Sequence, residues 1–123
     1  MKTRFKLVVL TLTLVAGIAS TVRAHAFLDH AIPAVGSQVR AAPSEVKLWF
    51  TEKLEPALSR IQVFDAAGQQ VDRRDVRSDA SDSAILVVSL RALKAGKYKV
   101  VWRAVSVDTH VTNGTFGFEI IPP

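Results

Sequence analysis

The chain has 123 residues, enough for one domain and one core, with no cysteine and a single methionine, Met1. Disulfides and thiolate metal sites are therefore excluded, and so is a soft sulfur cage for Cu(I). The formal charge of +5 is no sign of nucleic-acid binding, because much of it belongs to a leader that carries no acid.

That leader spans residues 1–24 and holds Lys2, Arg4, Lys6 and Arg23. Its apolar stretch, Leu7–Ile18 (LVVLTLTLVAGI), follows the positive residues and precedes small ones, the pattern of a cleaved secretory signal. It is shorter than the roughly 20 residues of a spanning helix, so no stable membrane insertion of the mature chain is expected. Without the leader, 12 Lys+Arg face 11 Asp+Glu and the charge falls to +1. Two cleavage points satisfy the small-residue rule. One lies after Val22-Arg23-Ala24, leaving His25 first. The other lies after Ala24-His25-Ala26, leaving Phe27 first.

From residue 25 onward the pattern alternates with a period of two, and no long segment repeats with a helical period. In Glu45–Glu52, Val46, Leu48 and Phe50 share one face, with Trp49 on the outward phase. Ile61 and Val63 mark another strand. The mixed-sign run Asp72–Asp79 reads as a solvated loop or hairpin face, within a polar segment Asp65–Ser83. Ala84–Leu90 reads as a mostly buried strand. In Lys97–Ala104, Tyr98, Val100, Trp102 and Ala104 point inward while Lys97, Lys99 and Arg103 point out. Phe116, Phe118 and Ile120 alternate within Thr115–Ile120. Turn residues such as Pro33, Gly36, Pro43, Gly68, Gly96 and Asn113-Gly114 separate the runs. About seven short strands at this spacing predict an all-β, single-domain antiparallel β-sandwich or Greek-key barrel over residues 25–123.

Three histidines, His25, His30 and His110, are the main carriers of chemistry. No nucleophile elbow, phosphate-cradling loop or H-E-x-x-H pair is present. In an extended chain Asp108 and His110 project to one side, and Glu52 follows its own inward phase to a strand end. A D-x-H pair alone is more often an aspartate orienting a surface histidine. A second histidine changes the reading. With His25 at a free N-terminus, amine and ring chelate together, and His110 with Asp108 completes three nitrogens and one oxygen, a set suited to Cu(II). His30, next to Asp29 and ahead of the Pro33 turn, reads as an exposed loop histidine.

These residues resemble the CopC family of periplasmic copper-binding proteins. The likeness starts at His25-Ala26-Phe27-Leu28 and includes Pro33, Gly36, Val46, Leu48, Phe50, Glu52, Gly96, Tyr98, Trp102 and Arg103. It closes on Ser106-x-Asp108-x-His110-x-x-x-Gly114-x-Phe116-x-Phe118. The resemblance implies a seven-stranded barrel of cupredoxin-like shape, and a mature chain that starts at His25. It implies one Cu(II) per chain on His25, Asp108 and His110, with Glu52 at the place where some relatives put a glutamate near the copper. It also implies a periplasmic carrier or buffer in copper homeostasis or resistance, not an enzyme, with an inner-membrane CopD-type importer as partner. Relatives with a second, Cu(I) site build it from a methionine-rich loop, whereas the Asp65–Ser83 segment has no methionine. Two other readings compete. One is a histidine-brace oxygenase resembling lytic polysaccharide monooxygenases, disfavoured because Asp108 would fill a position that oxygen needs. The other is a metal-free immunoglobulin-like module.

Overall fold

Alternation of apolar and polar residues becomes two packed sheets in a computed structural model of the chain, which describes residues 25–123. The expected leader and its cleavage point lie outside the described residues. The strands are β1 (Leu28–Ile32), β2 (Gln38–Val39), β3 (Glu45–Phe50), β4 (Arg60–Phe64), β5 (Arg77–Asp79), β6 (Asp82–Ser89), β7 (Gly96–Val105) and β8 (Val111–Ile120). One sheet has the order β1-β3-β6-β5 and the other β2-β8-β7-β4. The chain changes sheet five times, at β1–β2, β2–β3, β3–β4, β4–β5 and β6–β7, so both halves of the sandwich are tied by crossing connections. Among the described residues no helix is long and apolar enough to cross a membrane.

The inward phases predicted from sequence are those that are buried. Val46, Leu48 and Phe50 meet Ile61, Val63, Leu86, Val88, Tyr98, Val100, Trp102, Ala104, Phe116, Phe118 and Ile120 in one core. Each of the larger side chains contributes about 1.5–3 kcal/mol by leaving water. The long pair β7 and β8 runs in unbroken antiparallel register from Gly96↔Ile120 to Val105↔Val111 and forms the backbone of its sheet. Within it the Trp102 indole lies over Gly114. A Cβ on Gly114 would fall 2.6 Å from Trp102 Nε1, so only glycine fits beneath the ring.

Eight strands stand where about seven were expected. The additional pieces are short: β2 pairs in parallel with the end of β8 through Gln38↔Glu119 and Val39↔Ile120, and β5 forms a hairpin with β6. Two residues of pairing are too few to leave an alternation in the sequence. The Asp72–Asp79 run also departs from the expected solvated loop at its first residue. Asp72 is 1% exposed, and its carboxylate accepts the Val63 N–H at 2.8 Å, the Arg74 N–H at 3.1 Å and the Gln70 amide at 3.2 Å. A buried carboxylate with three donors is satisfied in place.

Candidate metal centre

At one end of the sandwich the β7–β8 connection carries Ser106 to His110. The sequence suggested an extended stretch here, and the structure replaces it with a turn. The Thr109 N–H donates to the Ser106 carbonyl at 2.8 Å and the Ser106 N–H to the His110 carbonyl at 2.9 Å. Thr109 sits at φ 71°, a left-handed conformation that costs a β-branched residue about 1–3 kcal/mol. The turn is what brings Asp108 and His110 together. Asp108 Oδ2 lies 3.1 Å from His110 Nδ1, with the side chains 50% and 30% exposed respectively.

Ser106 organises this pair from beneath. It is 1% exposed, its hydroxyl donates to Asp108 Oδ1, and its oxygen accepts the His110 N–H at 3.2 Å. The Ser106 hydroxyl above all holds the Asp108 carboxyl below its ordinary value; burial opposes it, and the neighbouring His110 adds to the lowering. Asp108 is thus ionised throughout the neutral range.

His25 reaches the same place from the opposite end of the chain. Its carbonyl accepts from the Thr51 hydroxyl at 3.2 Å, and the same Thr51 oxygen accepts the Phe27 N–H at 2.9 Å. The Thr51 N–H donates to the Phe27 carbonyl at 3.0 Å. Between them, Ala26 is fully buried and its carbonyl accepts from the Thr112 hydroxyl at 2.6 Å. The N-terminal segment is therefore pinned by one threonine of each sheet, Thr51 just after β3 and Thr112 within β8. This pinning sets the His25 ring 4.9 Å from the His110 ring, edge to face at 65°.

The chemistry of these donors suits a tetragonal metal ion. His110 Nδ1 is buried and has no hydrogen-bond partner. Asp108 Oδ2 stands within ion-pair distance of it but outside hydrogen-bond geometry. A buried polar atom left without a partner costs about 1–3 kcal/mol, and an ion shared with the carboxylate removes that cost. Two donors bound at right angles at ~2.0 Å stand about 2.8 Å apart, close to the observed spacing. Among the described residues no three His, Asp or Glu side chains yet converge on one point, since the two rings meet edge to face.

The remaining sequence candidates are Glu52 and His30. Glu52 lies in the bend after β3, which ends at Phe50 rather than carrying the inward phase to Glu52. It makes none of the hydrogen bonds or ion pairs of the described residues. His30, expected in a loop, is an exposed residue of β1; its ring stacks on Trp49 at 4.3 Å and its Nδ1 lies 2.6 Å from Asp29. Sequence reasoning missed Thr51 and Thr112. Their only signal was a hydroxyl residue on a strand or just beyond one, which is common, and their role depends on contacts 26 and 86 residues distant.

Comparison with known proteins agrees with this architecture. A model of the CopC domain matches residues 28–121. The chain is 36% identical to protein YobA of Escherichia coli K12 over 118 residues, covering 95% of this chain and 93% of that protein. It is 31% identical to copper resistance protein C of Escherichia coli over 91% of this chain and 94% of that one. A stretch of 98 residues is 31% identical to part of the copper transport protein CutJ of Bacillus subtilis, a part that makes up 18% of that longer protein. The crystal structure of CopC from Methylosinus trichosporium OB3b superposes with a TM-score of 0.75 at 34% identity, covering 80% of this chain and 95% of that one. PcoC, a methionine-rich copper resistance protein from Escherichia coli, superposes with a TM-score of 0.70 at 33% identity, over 80% of this chain and the whole of that one.

Proposed function

The chain belongs to the CopC family, and on that premise we propose that it is a periplasmic Cu(II) carrier, holding one ion on His25, Asp108 and His110. The observation that carries this reading is the Asp108–His110 pair, with its unpartnered, buried Nδ1 beside the ring of His25.

Each residue has a distinct part. Removal of the leader frees the His25 amine, which binds together with its ring nitrogen. His110 supplies a third nitrogen from the opposite strand pair. Asp108, already ionised, neutralises one unit of the ion's charge and fills a position otherwise left to water. A site of nitrogen and oxygen donors prefers Cu(II), and a chain with Met1 alone has no sulfur to retain Cu(I). Acid should release the metal, because the imidazoles and the amine bind only when deprotonated. Turnover is not part of this reading, since Asp108 occupies the open position that an oxygenase would use. Glu52 is assigned no direct bond to the ion.

The export signal supports a periplasmic location. The match to a segment of a longer copper transport protein supports delivery to a membrane copper importer of the CopD type. The decisive experiment is a native mass spectrum of protein purified from periplasm, before and after one equivalent of Cu(II), then after ascorbate. The expected species starts at His25, gains one copper and loses it on reduction. A chain that starts at Phe27, or one that keeps its copper after reduction, would overturn the assignment.

A further inference from the structure

The outer faces of the two sheets treat their cations differently. On the β1-β3-β6-β5 sheet, Lys47 pairs with Asp79 at 3.0 Å, and Arg77 with Asp75 at 3.1 Å and Glu45 at 3.8 Å. On the other sheet, Lys97 stands opposite Glu119 and Lys99 lies over the Phe64 ring at 5.6 Å. Arg60 and Arg103 have neither kind of partner. They are direct cross-strand neighbours of β4 and β7, both exposed, and among the described residues no carboxylate lies within ion-pair distance of either. Like charges placed opposite each other destabilise a sheet, and among the described residues no carboxylate offsets this pair; Arg103 is held only by a backbone carbonyl, that of Leu58.

The surroundings show what would offset it. Asn113 is the next residue across the same row, opposite Arg103, and Gln62 and Thr115 follow in the adjacent row. Together they line a cleft of about 330 Å³ on the sheet surface. Two guanidinium groups with amide and hydroxyl donors around a shallow hollow form a receptor for carboxylates. Two residues along the chain from Arg60 and Asn113 stand exposed Leu58 and Val111, and the Leu58 carbonyl accepts a bond from Arg103 Nη1 at 3.1 Å. We propose that this face is a docking site for an acidic protein segment, whose carboxylates enter between Arg60 and Arg103 while a flanking apolar side chain covers Leu58 and Val111. Two exposed aliphatic residues and two cations are too few for stable attachment to a lipid surface, and the planar guanidinium groups favour planar carboxylates. The proposal is independent of copper binding.

The test is a ¹⁵N NMR titration of the copper-free protein with hexaglutamate, with phosphatidylglycerol vesicles as a parallel arm. Expected shifts cluster at Arg60, Gln62, Arg103 and Asn113 and fade as salt rises. Arg60→Gln/Arg103→Gln should weaken peptide binding by about tenfold, while Lys53→Gln, in the loop after β3, leaves it unchanged. Arg60→Gln alone, which spares the Leu58 contact, should weaken binding without lowering the melting temperature, because it removes the cross-strand repulsion. Shifts scattered over all cations would overturn the proposal. So would unweakened binding in the double variant, a lower melting temperature for Arg60→Gln, or vesicles that displace the peptide.

Discussion

Asp72 and Asp108 use the same local device for opposite ends. Each lies close before a non-glycine residue in the left-handed region, Arg74 at φ 58° and Thr109 at φ 71°, and each accepts a hydrogen bond from its own loop. Around Asp72 the supply of donors is complete: two backbone N–H groups and one amide saturate a carboxylate that is 1% exposed. Around Asp108 it is not. Ser106 takes one oxygen, and the other faces a His110 nitrogen that is also unpartnered. A carboxylate saturated by the protein builds the fold, whereas one left half-saturated beside an unsatisfied nitrogen is available to an ion.

This contrast predicts a separation of effects. The largest is for Asp72→Ala, which strands the Val63 and Arg74 N–H groups and should cost about 3–5 kcal/mol in urea unfolding, with copper affinity of the folded fraction unchanged. His110→Ala should do the reverse. Its Cu(II) affinity, measured by competition with a chelator, should fall more than the roughly 10–100-fold typical of supporting residues, with little loss of stability. If His110→Ala bound Cu(II) as tightly as the parent, the site assignment would be wrong.

Thr112→Val sharpens the comparison further, since it removes the anchor of Ala26 without touching a proposed ligand. An affinity loss of about tenfold is expected, together with an altered Cu(II) EPR spectrum as His25 loses its fixed approach. An unchanged spectrum and affinity would show that His25 needs no such anchor.

The smallest effect is on acid stability. Asp79 is held down to about 2 from its ordinary 3.8, by the Ser81 hydroxyl first and by Lys47 second, and Asp108 is shifted in the same direction. A carboxyl depressed by folding contributes stability that is full above its unfolded value and is lost as pH falls through its folded one. Melting temperature should therefore decline between pH 3.8 and about 2, and Asp79→Asn should flatten that decline. Copper should also leave as pH falls, because protons compete with the ion for the imidazole and amine nitrogens.

Alternation of side chains by itself determined much of this protein. Residues two apart in a strand must share a face, so Val46, Leu48, Phe50, Tyr98, Val100, Trp102, Phe116 and Phe118 declared the core, and the punctuation between them declared a β-sandwich. The donors His25, Asp108 and His110 could be singled out because the chain has only 3 histidines and Asp108 stands two residues from one of them. Tertiary structure decided the rest, for reasons of distance and of backbone state. Whether residue 25 meets residue 110 depends on Thr51 and Thr112, which act across the sandwich and leave no local pattern. The approach of Asp108 to His110 depends on a left-handed Thr109, which threonine's intrinsic preference argues against. Nor could composition distinguish buried Asp72 from the solvated charges that follow it, because burial of a carboxylate is set by donors that only the folded chain assembles.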